Sequence, residues 1–141
     1  MKIKTSELIG APLDWTVGIC QGHNVKPWHT YRFLGTPKQE IVDRGVTIGE
    51  RDDFGQISYD PSNDWATAGP IIEEEKIILD YYCDKDESRA ALRFGSHDEE
   101  GEYIIGSDHE QTGPTPLIAA MRCYVSSKLG DYVDVPDYLL Y

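Results

Sequence analysis

The spacing of hydrophobic residues changes along this chain from helical to strand-like. In residues 5–20, apolar side chains such as Leu8, Trp15 and Ile19 recur every three or four positions until Gly22. This spacing predicts a broken helix over residues 5–20, with Thr5 as its cap. From Gly22 to position 55, short apolar runs at 31–34 and 46–48 alternate with glycines and prolines, which predicts short strands joined by loops.

The middle of the chain carries the pattern of a β-hairpin. The runs KIILDYY at 76–82 and RAALRF at 89–94 are rich in β-favourable residues and flank the polar segment CDKDES. We therefore predict an antiparallel hairpin, with a further strand at 103–105. The acidic, glycine-containing segments at about 83–88 and 96–113 are predicted to be mobile loops.

The clearest predicted element is a long C-terminal helix. Thr115 is placed as its N-cap and Pro116 at its first helical position, and the helix should end at Gly130. Its apolar stripe should dock on a sheet; it comprises Leu117, Met121, Tyr124, Val125 and Leu129. The expected fold is one α+β domain over residues 1–141, a small antiparallel sheet packed by an N-terminal helix and this long C-terminal helix.

Charge narrows the choice of partners. The formal net charge is -12, and residues 48–141 hold seven basic against 21 acidic residues. Such a surface disfavours direct binding of nucleic acids or anionic membranes, since both require clustered cations. It leaves open a basic protein partner. No stretch has the length and apolarity of a signal peptide or a membrane span, so a cytoplasmic location is expected.

The sequence contains no known catalytic or metal-binding pattern and so predicts no enzyme site. The three cysteines, Cys20, Cys83 and Cys123, are widely spaced, form no CxxC pair, and are expected to be thiols rather than zinc ligands or disulfides. No phosphate loop or nucleophile elbow occurs. Residues 95–98, GSHD, are adjacent and so cannot converge as a catalytic triad. We therefore expect no catalytic residue, no metal and no cofactor.

Two segments nevertheless contain groups that suit a ligand. In the first, an aromatic pair, a carboxylate and a glycine offer stacking and hydrogen bonding for a base or sugar: Tyr59, Asp64, Trp65 and Gly69. The alternative is a structural corner in which the Trp65 ring is buried and Gly69-Pro70 ends a short turn.

The second segment is the start of the last helix. Gly113, the Thr115 hydroxyl and the free amides of the first turn can donate to an anion, and Arg122 can supply charge. The alternative is ordinary capping by Thr115 with Arg122 in a surface ion pair. A shared ligand site requires that the two segments face one cavity, within a chain or across a subunit boundary.

Three blocks of sequence resemble a known family. They are MKIKTSELIGAPLDW at the start, YDPSNDWATAGPIIE in the middle and GPTPLIAAMRCYVSSKLGDYVDVPD near the end. Together they resemble the tailed-phage NinX-like proteins, small accessory proteins of unknown function. The resemblance implies a phage protein in the cytoplasm of a bacterial host, and it implies no activity, cofactor or catalytic residue.

These observations support hypotheses from three classes. The first is a non-enzymatic binder, expected to be a homo-oligomer, that sequesters a small anionic, nucleotide-like signal of host defence. The second is an acidic inhibitor or DNA mimic that uses residues 73–110 to block a basic host protein. The third is a nucleotide-processing enzyme without a readable motif, in which a carboxylate such as Asp64 binds a metal or acts as a base.

Overall fold

The fold combines helices with short antiparallel sheets. The computed structural model describes residues 1–35, 38–49, 57–82 and 85–140. Within these ranges the α-helices are α1 (Ala11–Cys20), α2 (Trp65–Glu75) and α3 (Pro116–Leu129). The strands are β1 (Lys2–Lys4), β2 (Val25–Gly35), β3 (Lys38–Ile48), β4 (Ile57–Ser58), β5 (Ile77–Tyr82), β6 (Glu87–His97), β7 (Tyr103–Gly113) and β8 (Tyr132–Asp134). Single 3₁₀ turns occupy Thr5–Glu7 and Asp137–Leu139.

The strands pair in three antiparallel groups. β1 pairs with β8, β2 with β3 and β3 with β4, and β6 lies between β5 and β7. The predicted α+β class is confirmed, as is the hairpin, which is formed by β5 and β6. The strands predicted at 31–34 and 46–48 lie within the longer β2 and β3.

Helix α3 docks on a sheet, as its sequence predicts. It packs against all three strands of the β5–β6–β7 sheet and against α1 and α2. The Thr115 hydroxyl accepts a hydrogen bond from Ile118 N at 3.2 Å, Pro116 opens the helix, and Gly130 follows its end with a φ of 88°. The predicted stripe is buried except for Leu129, which lies in the last turn and is 48% exposed.

The corner predicted at Gly69-Pro70 is wrong, because α2 continues through these residues to Glu75. Ala68 and Ile71, three positions apart, are buried on one face of α2. Packing of this face outweighs the hydrogen bond that Pro70 removes from the helix. The helix ends at Glu75, and the next residue, Lys76, adopts the left-handed conformation.

The N-terminal helix begins later than predicted. Residues 5–7 form only a 3₁₀ turn, and α1 starts after Gly10, whose φ of 61° breaks the helical path. The Thr5 hydroxyl donates to Gly130 O at 2.6 Å instead of capping a turn. This bond ties the N-terminal segment to the end of α3.

The long loop predicted at 96–113 is also wrong over most of its length. Residues 103–113 form β7, paired with β6 from Ser88↔Gly113 to His97↔Tyr103. One face of this sheet is exposed to solvent, so much of β7 carries exposed polar side chains. These polar residues made the strand look like a loop in the sequence. Only residues 98–102 connect the two strands. Of the other predicted loop, 87–88 belong to β6 and 83–84 lie outside the described residues.

Candidate functional site

The first group of predicted ligand-binding residues surrounds the start of α2. Asp64 caps this helix, since its carboxylate accepts hydrogen bonds from Ala66 N at 3.1 Å and from the Thr67 hydroxyl at 2.7 Å. Trp65 is 55% exposed, so the expectation of a buried ring is wrong. Gly69 lies within the helix. Tyr59 precedes the helix in the chain, and its side chain is buried.

The second group of predicted residues makes contacts within the chain around helix α3. A Cβ added to Gly113 would lie 3.0 Å from Ala119 N and from the Ile118 side chain, so α3 packs closely over this glycine. Arg122 donates through Nε to Leu8 O and through Nη1 to Thr112 O, both at 2.8 Å. Burial lowers the pKa of its guanidinium. Arg122 therefore joins α3 to the N-terminal segment and to β7.

In the described part of the chain, none of the five best-formed clefts is lined by residues of both groups. Of the seven predicted residues, Tyr59 borders one of these five clefts. The part of the prediction that places the shared site across a subunit boundary stays a prediction.

The cleft bordered by Tyr59, which we call the Trp28 cleft, has a volume of about 260 Å³. Four segments build it: the start of α1, β2, β3 and the stretch before α2. Its lining comprises Gly10, Ala11, Asp14, Trp28, Asp43, Arg44, Gly45, Val46, Ser58, Tyr59, Asp60 and Asn63. Aromatic, carboxylate, amide and guanidinium groups therefore share one concave surface.

Trp28 supplies the aromatic surface of the cleft. It lies opposite Gly45 in the β2–β3 register, and a Cβ on Gly45 would approach its ring to 2.7 Å. The absence of a side chain at position 45 thus allows the indole to lie against β3. The residue remains 36% exposed, so part of the ring is available for stacking.

Asp14 is the buried carboxyl of the cleft, with 4% of its surface exposed. It projects from α1 and accepts a hydrogen bond from Ser62 N at 2.9 Å, which ties α1 to the segment before α2. Burial raises the pKa of Asp14 to about 7, the hydrogen bonds from Ser62 oppose this rise, and the Asp60 carboxylate adds to it. Asp14 therefore exchanges a proton near neutral pH.

Tyr59 contributes a second buried polar group. Its N–H donates to Val46 O at 2.9 Å, and its ring meets the His23 ring edge-on at 5.3 Å between centroids. The hydroxyl is buried and has no hydrogen-bond partner among the described residues. Burial raises the pKa of this hydroxyl.

The charged lining of the cleft combines one guanidinium with three carboxyls. The Arg44 guanidinium donates through Nη1 to Leu139 O at 3.1 Å. The backbone N–H of Arg44 donates to the Asp43 carboxylate at 2.9 Å. The three carboxyls belong to Asp14, Asp43 and Asp60. This set can accept hydrogen bonds from hydroxyl or amino groups beside a stacked ring, and it can place one anionic group near Arg44.

Sequence reasoning missed Asp14, Trp28 and Arg44. A signal existed for Asp14, because it lies among apolar residues of the predicted N-terminal helix. Trp28 and Arg44 carried no comparable signal, since their convergence depends on the β2–β3 register and on a long-range contact with the C-terminal segment.

A family model covers most of the chain. A family model described as bacteriophage P22 NinX matches residues 4–128 of the 141, a range that includes every residue lining the Trp28 cleft. No curated protein matches the chain. Among the helices in the described part of the chain, none combines the length and apolarity needed to cross a membrane.

Proposed function

Because the chain belongs to the bacteriophage P22 NinX family, it is a phage accessory protein, and we propose that it sequesters a small nucleotide-like host signal without turning it over. The observation that supports this proposal is the Trp28 cleft, which offers a stacking ring beside several hydrogen-bond acceptors. The proposed place of action is the cytoplasm of the bacterial host, with the protein as a homo-oligomer.

The chemistry of the cleft favours a ligand of low negative charge. A purine or pyrimidine can stack on Trp28, and its amino or ribose hydroxyl groups can donate to the carboxylates of Asp43 and Asp60. Arg44 can attract one phosphate group. Each additional phosphate is repelled by the carboxylates, by about 1 kcal/mol per charge pair at 4 Å in water. Nucleosides and singly charged nucleotides should therefore bind better than triphosphates.

Calorimetric titration tests the proposal. The panel comprises nucleosides, nucleoside monophosphates and triphosphates, cyclic dinucleotides and cyclic ADP-ribose isomers. Loss of one base stack, worth about 1–3 kcal/mol, should weaken binding roughly 5- to 150-fold in Trp28→Ala. Trp65→Ala is the matched control, because Trp65 is exposed and lies outside the cleft; its affinity should not change.

Two results would contradict the proposal. One is silence of the folded wild-type protein across the whole panel, and the other is an equal loss of affinity in both tryptophan variants. Mass spectrometry of the bound fraction separates sequestration from turnover, since a sequestered ligand is recovered chemically unchanged.

An acidic inhibitor of a basic host protein is the second candidate. Glu73 and Glu74 are exposed on α2 and form no ion pair with another described residue. In the β6–β7 connection, the Asp98 carboxylate accepts the N–H groups of Glu100 and Glu102, both at 2.9 Å. These bonds hold an acidic tip in one conformation.

Charge reversal distinguishes the second candidate from the first. Under the inhibitor hypothesis, Glu73→Lys with Glu74→Lys weakens capture of a basic host protein, and added salt weakens it further. Trp28→Ala should leave that capture intact. Glu75 is less suitable for this test, because its carboxylate already pairs with Lys128 at 3.3 Å. Salt-insensitive capture that survives the reversal would contradict this hypothesis.

A further inference from the structure

A second polar cleft lies at the C-terminal end of α2. It has a volume of about 350 Å³ and joins the end of α2 to β6 and β7. We call it the Lys76 cleft; its lining comprises Glu75, Lys76, Leu92, Arg93, Asp108 and His109. It shares no lining residue with the Trp28 cleft. Since α2 has 11 residues, the helix between the two regions spans about 16 Å.

The backbone is strained at two positions of the Lys76 cleft. Lys76 has a φ of 55° and a ψ of 44° at the end of α2, where glycine is the usual residue. His109 has a φ of 53° in β7, at the point where the register with β6 shifts between Ala90 and Leu92. A bulge of this kind changes the direction of a side chain. Strained non-glycine residues concentrate at functional sites.

The charges of the Lys76 cleft are unusual for a chain with a net charge of -12. Lys76 and Arg93 form no ion pair with another described residue. The Glu75 carboxylate is compensated by Lys128 at 3.3 Å. Asp108 lies beside His109, with its carboxylate 3.5 Å from Nε2. Two cations without a close ion pair therefore lie beside one imidazole, and the charge of Arg93 also acts on the Asp80 carboxylate.

The imidazole is oriented by its surroundings. His109 Nδ1 lies 3.4 Å from the Ser126 hydroxyl of α3, and its Nε2 faces the Asp108 carboxylate. This arrangement fixes the ring at the boundary between β7 and the core. The ammonium of Lys76 and the guanidinium of Arg93, which border the same cleft, form a donor set that suits the oxygens of a phosphate group.

We propose that the Lys76 cleft binds the phosphate group of a small molecule, with Lys76 and Arg93 as its charged contacts. The negative end of the α2 dipole opposes an anion here. This opposition is reduced because the Lys76 N–H caps the carbonyls of Ile72 and Glu73. The proposal does not depend on the function of the Trp28 cleft.

Lys76→Gly separates a structural role from a binding role. Glycine adopts the left-handed conformation without the steric cost of a side chain, so this variant should raise the Tm of the protein. The same change removes one cation from the cleft. A residue kept for the fold alone would show the gain in Tm without any loss of affinity.

The experiment titrates the full chain with inorganic phosphate and with ribose 5-phosphate, followed by calorimetry. Wild type should bind at least one probe, and Lys76→Gly and Arg93→Ala should each weaken binding about tenfold or more. Lys85→Ala is the matched control, because Lys85 is an exposed cation outside the cleft; its affinity should match wild type. Tighter binding of ribose 5-phosphate indicates a sugar phosphate, and equal binding indicates the phosphate group alone.

Three outcomes would overturn the proposal. The first is that folded wild type binds neither probe at millimolar concentration. The second is that Lys76→Gly and Arg93→Ala both keep the affinity of wild type. The third is that Lys85→Ala loses as much affinity as they do, which would reflect net charge only. Trp28→Ala should leave phosphate binding unchanged, so failure at one cleft does not imply failure at the other.

Discussion

Replacement of Asp14 by Asn should change how the stability of the protein depends on pH. The native carboxyl is buried and its pKa is raised from 3.8 to about 7. Asn resembles the protonated carboxyl in shape, and its amide oxygen can still accept the hydrogen bond from Ser62 N. The variant therefore removes the titration while it keeps the contact between α1 and the segment before α2.

The sign and size of the effect follow from proton linkage. Because the folded protein holds the Asp14 proton more tightly than the unfolded chain, this group stabilises the fold fully below pH 3.8. The stabilisation is lost as the pH rises through about 7. A change in pKa from 3.8 to about 7 corresponds to about 4 kcal/mol in total. Between pH 5 and pH 8 the loss should be about 2.5 kcal/mol.

Urea denaturation of wild type and Asp14→Asn at several pH values between about 5 and 8 measures this loss. The free energy of unfolding of wild type should fall relative to the variant by about 2.5 kcal/mol as the pH rises. Glu99→Gln, a change at an exposed carboxyl of the β6–β7 connection, should keep the wild-type dependence. Parallel curves for wild type and Asp14→Asn would refute the reasoning, because no titrating group would then have been removed.

Four further substitutions test the packing around the site and core by thermal and urea unfolding. Gly45→Ala should destabilise the fold by about 1–3 kcal/mol and weaken ligand binding, because its Cβ would meet the Trp28 ring at 2.7 Å. Thr115→Ala should cost about 1 kcal/mol through loss of the α3 cap. Arg122→Met should cost about 2–4 kcal/mol, since it removes the hydrogen bonds to two main-chain carbonyls. Tyr59→Phe should stabilise by about 1 kcal/mol, because it removes a buried hydroxyl without a partner; a destabilised variant would indicate that the hydroxyl is bonded in solution.

The elements that sequence predicted correctly are those specified by nearby residues. Helix α3 begins and ends where Thr115, Pro116 and Gly130 place it, because capping involves residues within one turn of each other. The end of α2 was misplaced because Gly69-Pro70 is a strong local signal for a turn. Tertiary packing of Ala68 and Ile71 overrides that signal, and packing cannot be read from a short window of sequence.

The candidate site was less predictable than the fold for the same reason. Its lining comes from four segments, and the residues from 10 to 63 that form it have no common motif. Tyr59 borders the Trp28 cleft, whereas Trp65, from the same predicted group, is exposed and lies outside it. Arg122 was expected to supply charge to an anion or to form a surface ion pair, and instead it donates to carbonyl groups of the chain. A single residue type thus gives little information about a site until strand register and helix contacts are known.

Several positions that break local rules border the two clefts. A buried carboxyl at Asp14 and an unpaired hydroxyl at Tyr59 border one cleft, and left-handed non-glycine residues at Lys76 and His109 border the other. The orphan hydroxyl and the strained φ values cost free energy, and the Asp14 carboxyl costs free energy when it is ionised. Three simple substitutions relieve these costs: Asp14→Asn, Tyr59→Phe and Lys76→Gly. If all such variants were more stable and bound the ligands as well as wild type, the violations would have no functional role. If stability rises while affinity falls, as we expect for Lys76→Gly, the strain is maintained by selection for binding.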